Sequence, residues 1–277
     1  MYSGSFPQLL EDHGILTDGN LALLADVNEQ LEEREIRPSL APSEFSDGQV
    51  EYYLEENRNA VSELDTERGF VPAIVGKCRL PHTGNVSWNN LSSMTDDETV
   101  APQPDLYYGF RAGEIDKSMR DDIGSLIIPS ITKGAPCAPY MILENKGRYG
   151  SLEVAKYQAT HAGAATARAQ FAVKNYGLET PVYDNEVLAE AWTYTCSPGA
   201  LTRYVVYVSQ PEAGSSQPTY HLTYVKTYHV AETIEQFRKG VSAFRHCRTE
   251  AHVKALARLE KAHERLRRGK GRLGTAL

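Results

Sequence analysis

Cysteine is scarce in this 277-residue chain, and long apolar runs are missing altogether. The four cysteines, Cys78, Cys137, Cys196 and Cys247, lie far apart with no C-x-x-C pair, which excludes a disulfide framework and a zinc knuckle. Histidine does not make up the deficit. Cys78 with His82, His221 with His229, and His246 beside Cys247 all lack the ligand spacing of a structural zinc site. No stretch of about 18 apolar residues occurs, so no transmembrane helix is expected. The opening Met1-Tyr2-Ser3-Gly4-Ser5-Phe6-Pro7 has no basic segment leading into an apolar one, so no secretory signal is expected either. Reduced thiols and these absences predict an intracellular protein, of nucleus or cytoplasm, without membrane contact.

Positive charge is also in deficit, with 36 Asp and Glu against 29 Lys and Arg, a net charge of −7 and a mean hydropathy of −0.43. That total excludes a uniformly basic nucleic-acid binder. Its distribution is uneven. Residues 1–70 carry 16 acids and 4 bases, residues 71–235 carry 17 and 13, and residues 236–277 carry 3 and 12. Such asymmetry has two readings: solvated ends, or an acidic head and a basic terminal helix that meet a polyanion or a protein partner.

Apolar spacing predicts a helix from Asp18 to about Glu35, ended by Pro38 and Pro42. A second starts after Ser46 and runs through Val50, Leu54, Val61 and Leu64 until Gly69 and Pro72 turn the chain. Residues 78–103 read as loop. Pro104-Asp105-Leu106-Tyr107-Tyr108-Gly109-Phe110 is a short aromatic strand candidate, followed by a helix over Glu114–Ile127 and a buried strand over Tyr140–Lys146. Ser151 caps a long helix that ends near Asn175 and is rich in Ala and Gly, which permits close approach to a sheet. Period-2 stretches over Val187–Thr195, Tyr204–Ser209 and Tyr220–Tyr228 predict three more strands, and Ala231 to about Arg267 a basic helix. The chain thus divides into an acidic helical extension (1–45), a core (46–230) and a basic terminal helix and tail (231–277).

Glu144 and Lys146, two apart on a strand, share one face, while Asn145 faces the other way. A carboxylate beside an ammonium at the end of a buried strand suits metal-dependent hydrolysis; the competing reading is a surface ion pair worth at most about 1 kcal/mol. Asp105, at the start of the preceding strand, offers a second carboxylate, or else is a turn residue. Two acids on neighbouring strands repel unless a hard cation lies between them, and oxygen ligands with open water positions suit Mg²⁺ or Mn²⁺.

Pro104-Asp105, then Glu144-Asn145-Lys146, then a helix bearing Gln158 resembles the PD-(D/E)xK signature of the restriction-endonuclease-like superfamily. Around it, Ile128-Pro129-Ser130, Val154-Ala155-Lys156-Tyr157-Gln158-Ala159, Gly163-Ala164-Ala165-Thr166-Ala167-Arg168-Ala169 and Tyr183-Asp184-Asn185 are similar to a nuclease-like domain widespread in fungal proteins, over about residues 45–260. The resemblance implies an α/β (α+β) fold with a restriction-endonuclease-like core, a mixed central β-sheet flanked by helices, and helical extensions at both ends. It implies Asp105 and Glu144 as metal-binding acids, Lys146 as the water-orienting or charge-stabilising base, and Gln158 as the helix residue facing the site. A further acid comes from the first core helix, where Glu51, Glu55 and Glu56 all qualify and Glu55 or Glu56 is favoured. The implied activity is hydrolysis of phosphodiester bonds in DNA. Lys133, Arg148, Lys156 and Arg168 are candidate phosphate contacts, and Tyr107, Tyr108 and Tyr149 either stack on bases or pack in the core. The alternative is a catalytically silent nuclease-like module that binds a partner.

Overall fold

The computed structural model describes residues 6–17, 45–211 and 217–274. A seven-stranded mixed sheet forms the centre, with strand order β1-β7-β6-β5-β4-β3-β2. In chain order the elements are α1 (Phe6–Asp12), β1 (Ile15–Leu16), α2 (Asp47–Asn59), α3 (Glu63–Gly69), α4 (Val71–Val75), β2 (His82–Thr83), β3 (Leu106–Phe110), α5 (Lys117–Ile127), β4 (Cys137–Lys146), α6 (Leu152–Asn175), β5 (Ala189–Thr195), β6 (Ala200–Ser209), β7 (Thr219–His229) and α7 (Ile234–Gly274). Strands β4 and β5 run parallel, as do β1 and β7; every other pair is antiparallel. The expected α/β class, a mixed central sheet flanked by helices, is what the chain adopts.

Both faces of the sheet are covered, and the strand parity decides which side chains go where. Ile142, Tyr107, Ala191, Val206 and Leu222 face α6 and its small residues. Gly163 of α6 lies so close to the sheet that an added Cβ would sit 3.1 Å from Val206 Cγ2 and 3.4 Å from Ala191 Cβ. On the other face, Met141, Leu143, Trp192 and Tyr194 pack with Phe70, Phe237 and Phe244 from α4's entrance and α7. β4, central and parallel to β5, is buried along its whole length, which is why it reads as a continuous apolar run.

Three local departures from the expected elements have physical causes. The helix beginning after Ser46 stops at Asn59, and a new one starts at Glu63, because Ser62 and Asp65 form a capping box: Asp65 N–H donates to Ser62 Oγ (3.1 Å) and Ser62 N–H to Asp65 Oδ2 (2.8 Å). Pro72 opens α4 rather than ending a helix, its missing N–H costing nothing in a first turn. Ile15–Leu16 adds an edge strand parallel to β7, too short to leave a periodic signal. The helix expected over Asp18–Glu35 lies outside the described residues.

The basic terminal helix spends much of its charge inward. Arg238 donates to Phe45 O and pairs with Asp47 (both 2.6 Å), Arg245 donates to Ala73 O (2.7 Å) and Arg248 to Val75 O (2.6 Å). Arg258 pairs with Glu186 (2.8 Å), and Arg265 donates to Tyr176 O (2.7 Å). Several of these oxygens are the orphan carbonyls at the ends of α4 and α6, so the arginines act as C-terminal caps and leave fewer charges for a partner. Among the described residues no helix is long and apolar enough to cross a membrane.

Candidate active site

The end of β4 gathers the candidate residues. Register places Leu106 opposite Leu143, so Asp105, one residue before β3, reaches the end of β4, where its Oδ2 accepts the Asn145 backbone N–H at 2.6 Å. Glu144 and Lys146 project from β4 toward the α6 side and are both buried, at 2% and 5% exposure. The Lys146 ammonium donates to its neighbour's carbonyl, Asn145 O, at 3.0 Å and pairs with Glu63 Oε1 at 3.0 Å. Asp105, Glu144 and Lys146 are thus brought to one end of β4, where the charges of Asp105 and Lys146 both act on Glu144.

Glu63 is the residue that sequence reasoning missed. It is the first residue of α3, and Asn145, facing away from Lys146, fixes it by donating Nδ2–H to Glu63 O at 3.0 Å. Gly147 makes the approach possible: a Cβ there would lie 2.6 Å from Ser62 C and 2.7 Å from Glu63 N. The favoured Glu55 and Glu56 lie elsewhere. Glu55 is exposed on α2, and Glu56 packs over Gly69 and lines an outer groove with Tyr52, Asp65 and Arg68. The acid that the helical segment brings to Lys146 is thus Glu63, because the capping box ends α2 early and points the start of a new helix at the strand end. Gly147→Ala is expected to lower the thermal midpoint by several degrees and to loosen the Glu63–Lys146 pair. Backbone against backbone cannot yield as a flexible side chain would, and circular dichroism melting of the variant measures the loss.

The electrostatics follow from burial. Loss of water raises the Asp105 carboxyl to about 6; the Asn145 N–H and the Lys146 ammonium oppose this, while the charges of Glu63 and Glu67 reinforce it. Burial, and then the neighbouring Asp105, push Glu144 well above the ordinary carboxylate range, with Lys146 pulling the other way. His161, on α6 one turn from Gln158, is held to about 4 by burial and then by Arg168, so it is a neutral ring at physiological pH.

Glu144, Gln158 and His161 form one wall of a cavity of about 200 Å³, whose other wall is the loop residues Ser87, Val100, Ala101, Pro102 and Gln103. Gln158 therefore lines the same cavity as Glu144, and its Oε1 has no hydrogen-bond partner among the described residues. The expected phosphate contacts fare differently. Arg148 is spent on the C-terminus of α2, donating Nε–H to Ala60 O at 3.2 Å and Nη2–H to Arg58 O. Arg168 holds the covering loop, donating to Ser93 O (3.2 Å) and Ser92 O (2.5 Å). Lys156 is half-buried on α6, with no ion pair among the described residues, and Lys133 is exposed. Tyr107 and Tyr108 are core residues, whereas Tyr149 stands 85% exposed.

A part-buried and a buried carboxylate at one strand end, Asp105 raised by burial and Glu144 by burial and then by Asp105, with the Gln158 amide oxygen lining the same cavity as Glu144, are a donor set that fits a hard divalent cation. Among the described residues no group of three or more His, Cys, Asp or Glu side chains is arranged to hold a metal ion. Mg²⁺ is commonly held by only one or two carboxylates and completes its shell with water, so a two-carboxylate site is sufficient.

Residues 77–262, more than half of the chain, match the model of a family described as a domain of unknown function (DUF7924). Asp105, Glu144, Lys146 and Gln158 lie within the match; Glu63 lies outside it. No curated protein and no solved structure matches the chain.

Proposed function

The chain belongs to the DUF7924 family, and we propose that it is a divalent-metal-dependent nuclease that hydrolyses phosphodiester bonds of nucleic acid, DNA above all. The observation that carries this reading is the placement of Asp105, Glu144 and Lys146 at one end of β4, with Glu63 paired to Lys146 and Glu144 lining a cavity. The order of elements supports it: a helix, the antiparallel β3–β4 pair with α5 inserted between its strands, α6 and then β5 match the helix, mixed sheet, helix and further strand that the resemblance to restriction-endonuclease-like proteins implies.

Asp105 and Glu144 would hold Mg²⁺ or Mn²⁺, which when bound supplies polarisation of a phosphoryl oxygen and acidification of a water. The remaining roles belong to the chain. Lys146 has three N–H donors; Asn145 O and Glu63 take two, and the third is left to orient the attacking water or to neutralise charge developing on the phosphate. Glu63 positions Lys146 rather than touching substrate. Gln158 lines the same cavity and offers an amide to the phosphate or to a bound water.

The purified protein is expected to cleave DNA in the presence of Mn²⁺ and to be silent in EDTA, as read on labelled oligonucleotides by gel. Cleavage that persists in EDTA overturns the reading. The second reading, a nuclease-like interaction module without turnover, is favoured by the 16 acids against 4 bases of residues 1–70, a charge that opposes a nucleic acid near them. It predicts no Mn²⁺-dependent rise in thermal midpoint, whereas the nuclease predicts one that grows with ion concentration.

A further inference from the structure

The 87–103 loop walls a second cavity beside the one that Glu144 lines. It has a volume of about 180 Å³, and Trp88, Ser92, Ser93, His161 and Arg168 are among the residues around it. The two cavities have Val100, Ala101, Pro102 and His161 in common, whereas Glu144 and Gln158 line only the first and Arg168 only the second. A water needs roughly 10–15 Å³ of such space, so the second cavity has room for several waters or for a small solute with its own water. The loop that bounds it is firmly built. Trp88 is fully buried, packs edge-on against Tyr107 at 5.2 Å and donates its backbone N–H to Pro102 O (2.8 Å).

Arg168 gives this cavity a positive charge that no carboxylate neutralises. Its two terminal nitrogens donate to Ser93 O (3.2 Å) and Ser92 O (2.5 Å), which are neutral carbonyls, and among the described residues it forms no ion pair. Its Nε–H has no hydrogen-bond partner among the described residues, and neither has the indole N–H of Trp88. Burial works against the guanidinium charge, and the group that opposes this is Tyr220, a phenol rather than a carboxylate. His161, close enough to feel the same charge, is 4% exposed and neutral, and makes no hydrogen bond among the described residues. The acid in the lining, Asp97, is exposed, so water and salt screen it. A cation withdrawn from water is ordinarily paired, and one surrounded by unsatisfied N–H groups points to an anion that the chain does not itself supply.

We propose that this second cavity binds a small oxyanion of the phosphate class, with Arg168 supplying the charge and His161 a neutral N–H donor. The end-on fork with which an arginine clamps a flat carboxylate is already spent on two carbonyls, so the donors that remain suit an anion with several oxygens. The site is separate from the metal-binding acids, and its test does not depend on the nuclease reading. Thermal melts and calorimetry in EDTA, with inorganic phosphate replacing chloride at constant ionic strength, are expected to show a saturable stabilisation, and hydrogen exchange over residues 87–103 is expected to slow. Acetate in the same titration is expected to bind more weakly than phosphate. Arg168→Met is expected to weaken phosphate binding at least about 10-fold, as the loss of a charged donor does. His161→Phe leaves Arg168 and its loop contacts in place and keeps a ring against Phe6, and it is expected to weaken phosphate binding about 3–10-fold. Lys146→Met, which removes the cation beside the metal-binding acids, is expected to leave the phosphate response unchanged. The absence of a saturable response, acetate binding as tight as phosphate, an affinity indifferent to Arg168→Met or to His161→Phe, or a response abolished by Lys146→Met each overturns the anion site. Mn²⁺-dependent cleavage decides the nuclease reading by itself, so either can fail alone.

Discussion

Lys146→Met is expected to reduce Mn²⁺-dependent cleavage by about 10²–10⁴-fold, the range typical of removing a positioned proton-transfer or charge-stabilising group. Methionine keeps the length of the side chain in a position that is 5% exposed, so packing is retained and the ammonium alone is lost. The partners left behind are cheap to abandon. Glu63 is about half exposed and returns to water, and Asn145 O is a carbonyl at the strand end. Mn²⁺ binding is expected to survive, because a cation close to the two carboxylates is relieved of a positive neighbour. The variant therefore separates two roles: the Mn²⁺-induced thermal shift persists while turnover disappears. Activity within 10-fold of wild type in Lys146→Met sinks the assignment of Lys146. Loss of the thermal shift together with activity makes Lys146 structural.

How much of this site was legible in the sequence depends on how local its signals are. The strand carrying Glu144 and Lys146 announces itself through Tyr140-Met141-Ile142-Leu143, since a parallel central strand is apolar on both faces. The α6 helix shows its Ser151 cap and its small-residue face, and both are present. Glu63 is different. Its helix start is written in Ser62-x-x-Asp65, but where that helix lands is set by Gly147, 84 positions later, which alone permits backbone to approach backbone. Spacing rules see neighbours in sequence, and this contact is not between neighbours. The arginines misled for the same reason. Arg148 and Arg168 look like surface cations in a string of letters, yet the carbonyls they satisfy belong to a helix end and a loop about 75–90 residues away. The charge of residues 236–277 reads as a binding surface until the orphan carbonyls of α4 and α6 are in place to receive it.

Glu144→Gln is expected to make the metal-free protein more stable, by a margin that depends on pH in a defined direction. Glu144 is buried with a folded pKa raised well above its ordinary 4.5, first by desolvation and then by Asp105. For such a group the unfolded chain releases its proton at lower pH than the folded one. The stability associated with the neutral carboxyl is fully present below the unfolded value and is lost as pH rises through the folded one. Glutamine has no proton to lose. Variant and wild type should therefore melt together near pH 4, and the gap should widen above it by up to about 1.4 kcal/mol per pH unit until the folded pKa is passed. Mn²⁺ should then close the gap from the wild-type side, because only the carboxylate gains from the ion, and the same substitution should abolish cleavage. A residue that costs stability when the site lacks its cation, and repays it when the cation is present, is retained for chemistry rather than for folding. Thermal melts of both proteins from pH 4 to 8, with EDTA and with Mn²⁺, give the answer. A Glu144→Gln protein less stable than wild type at every pH, and equally responsive to Mn²⁺, makes Glu144 a buried structural acceptor and removes the central ligand from the proposed site.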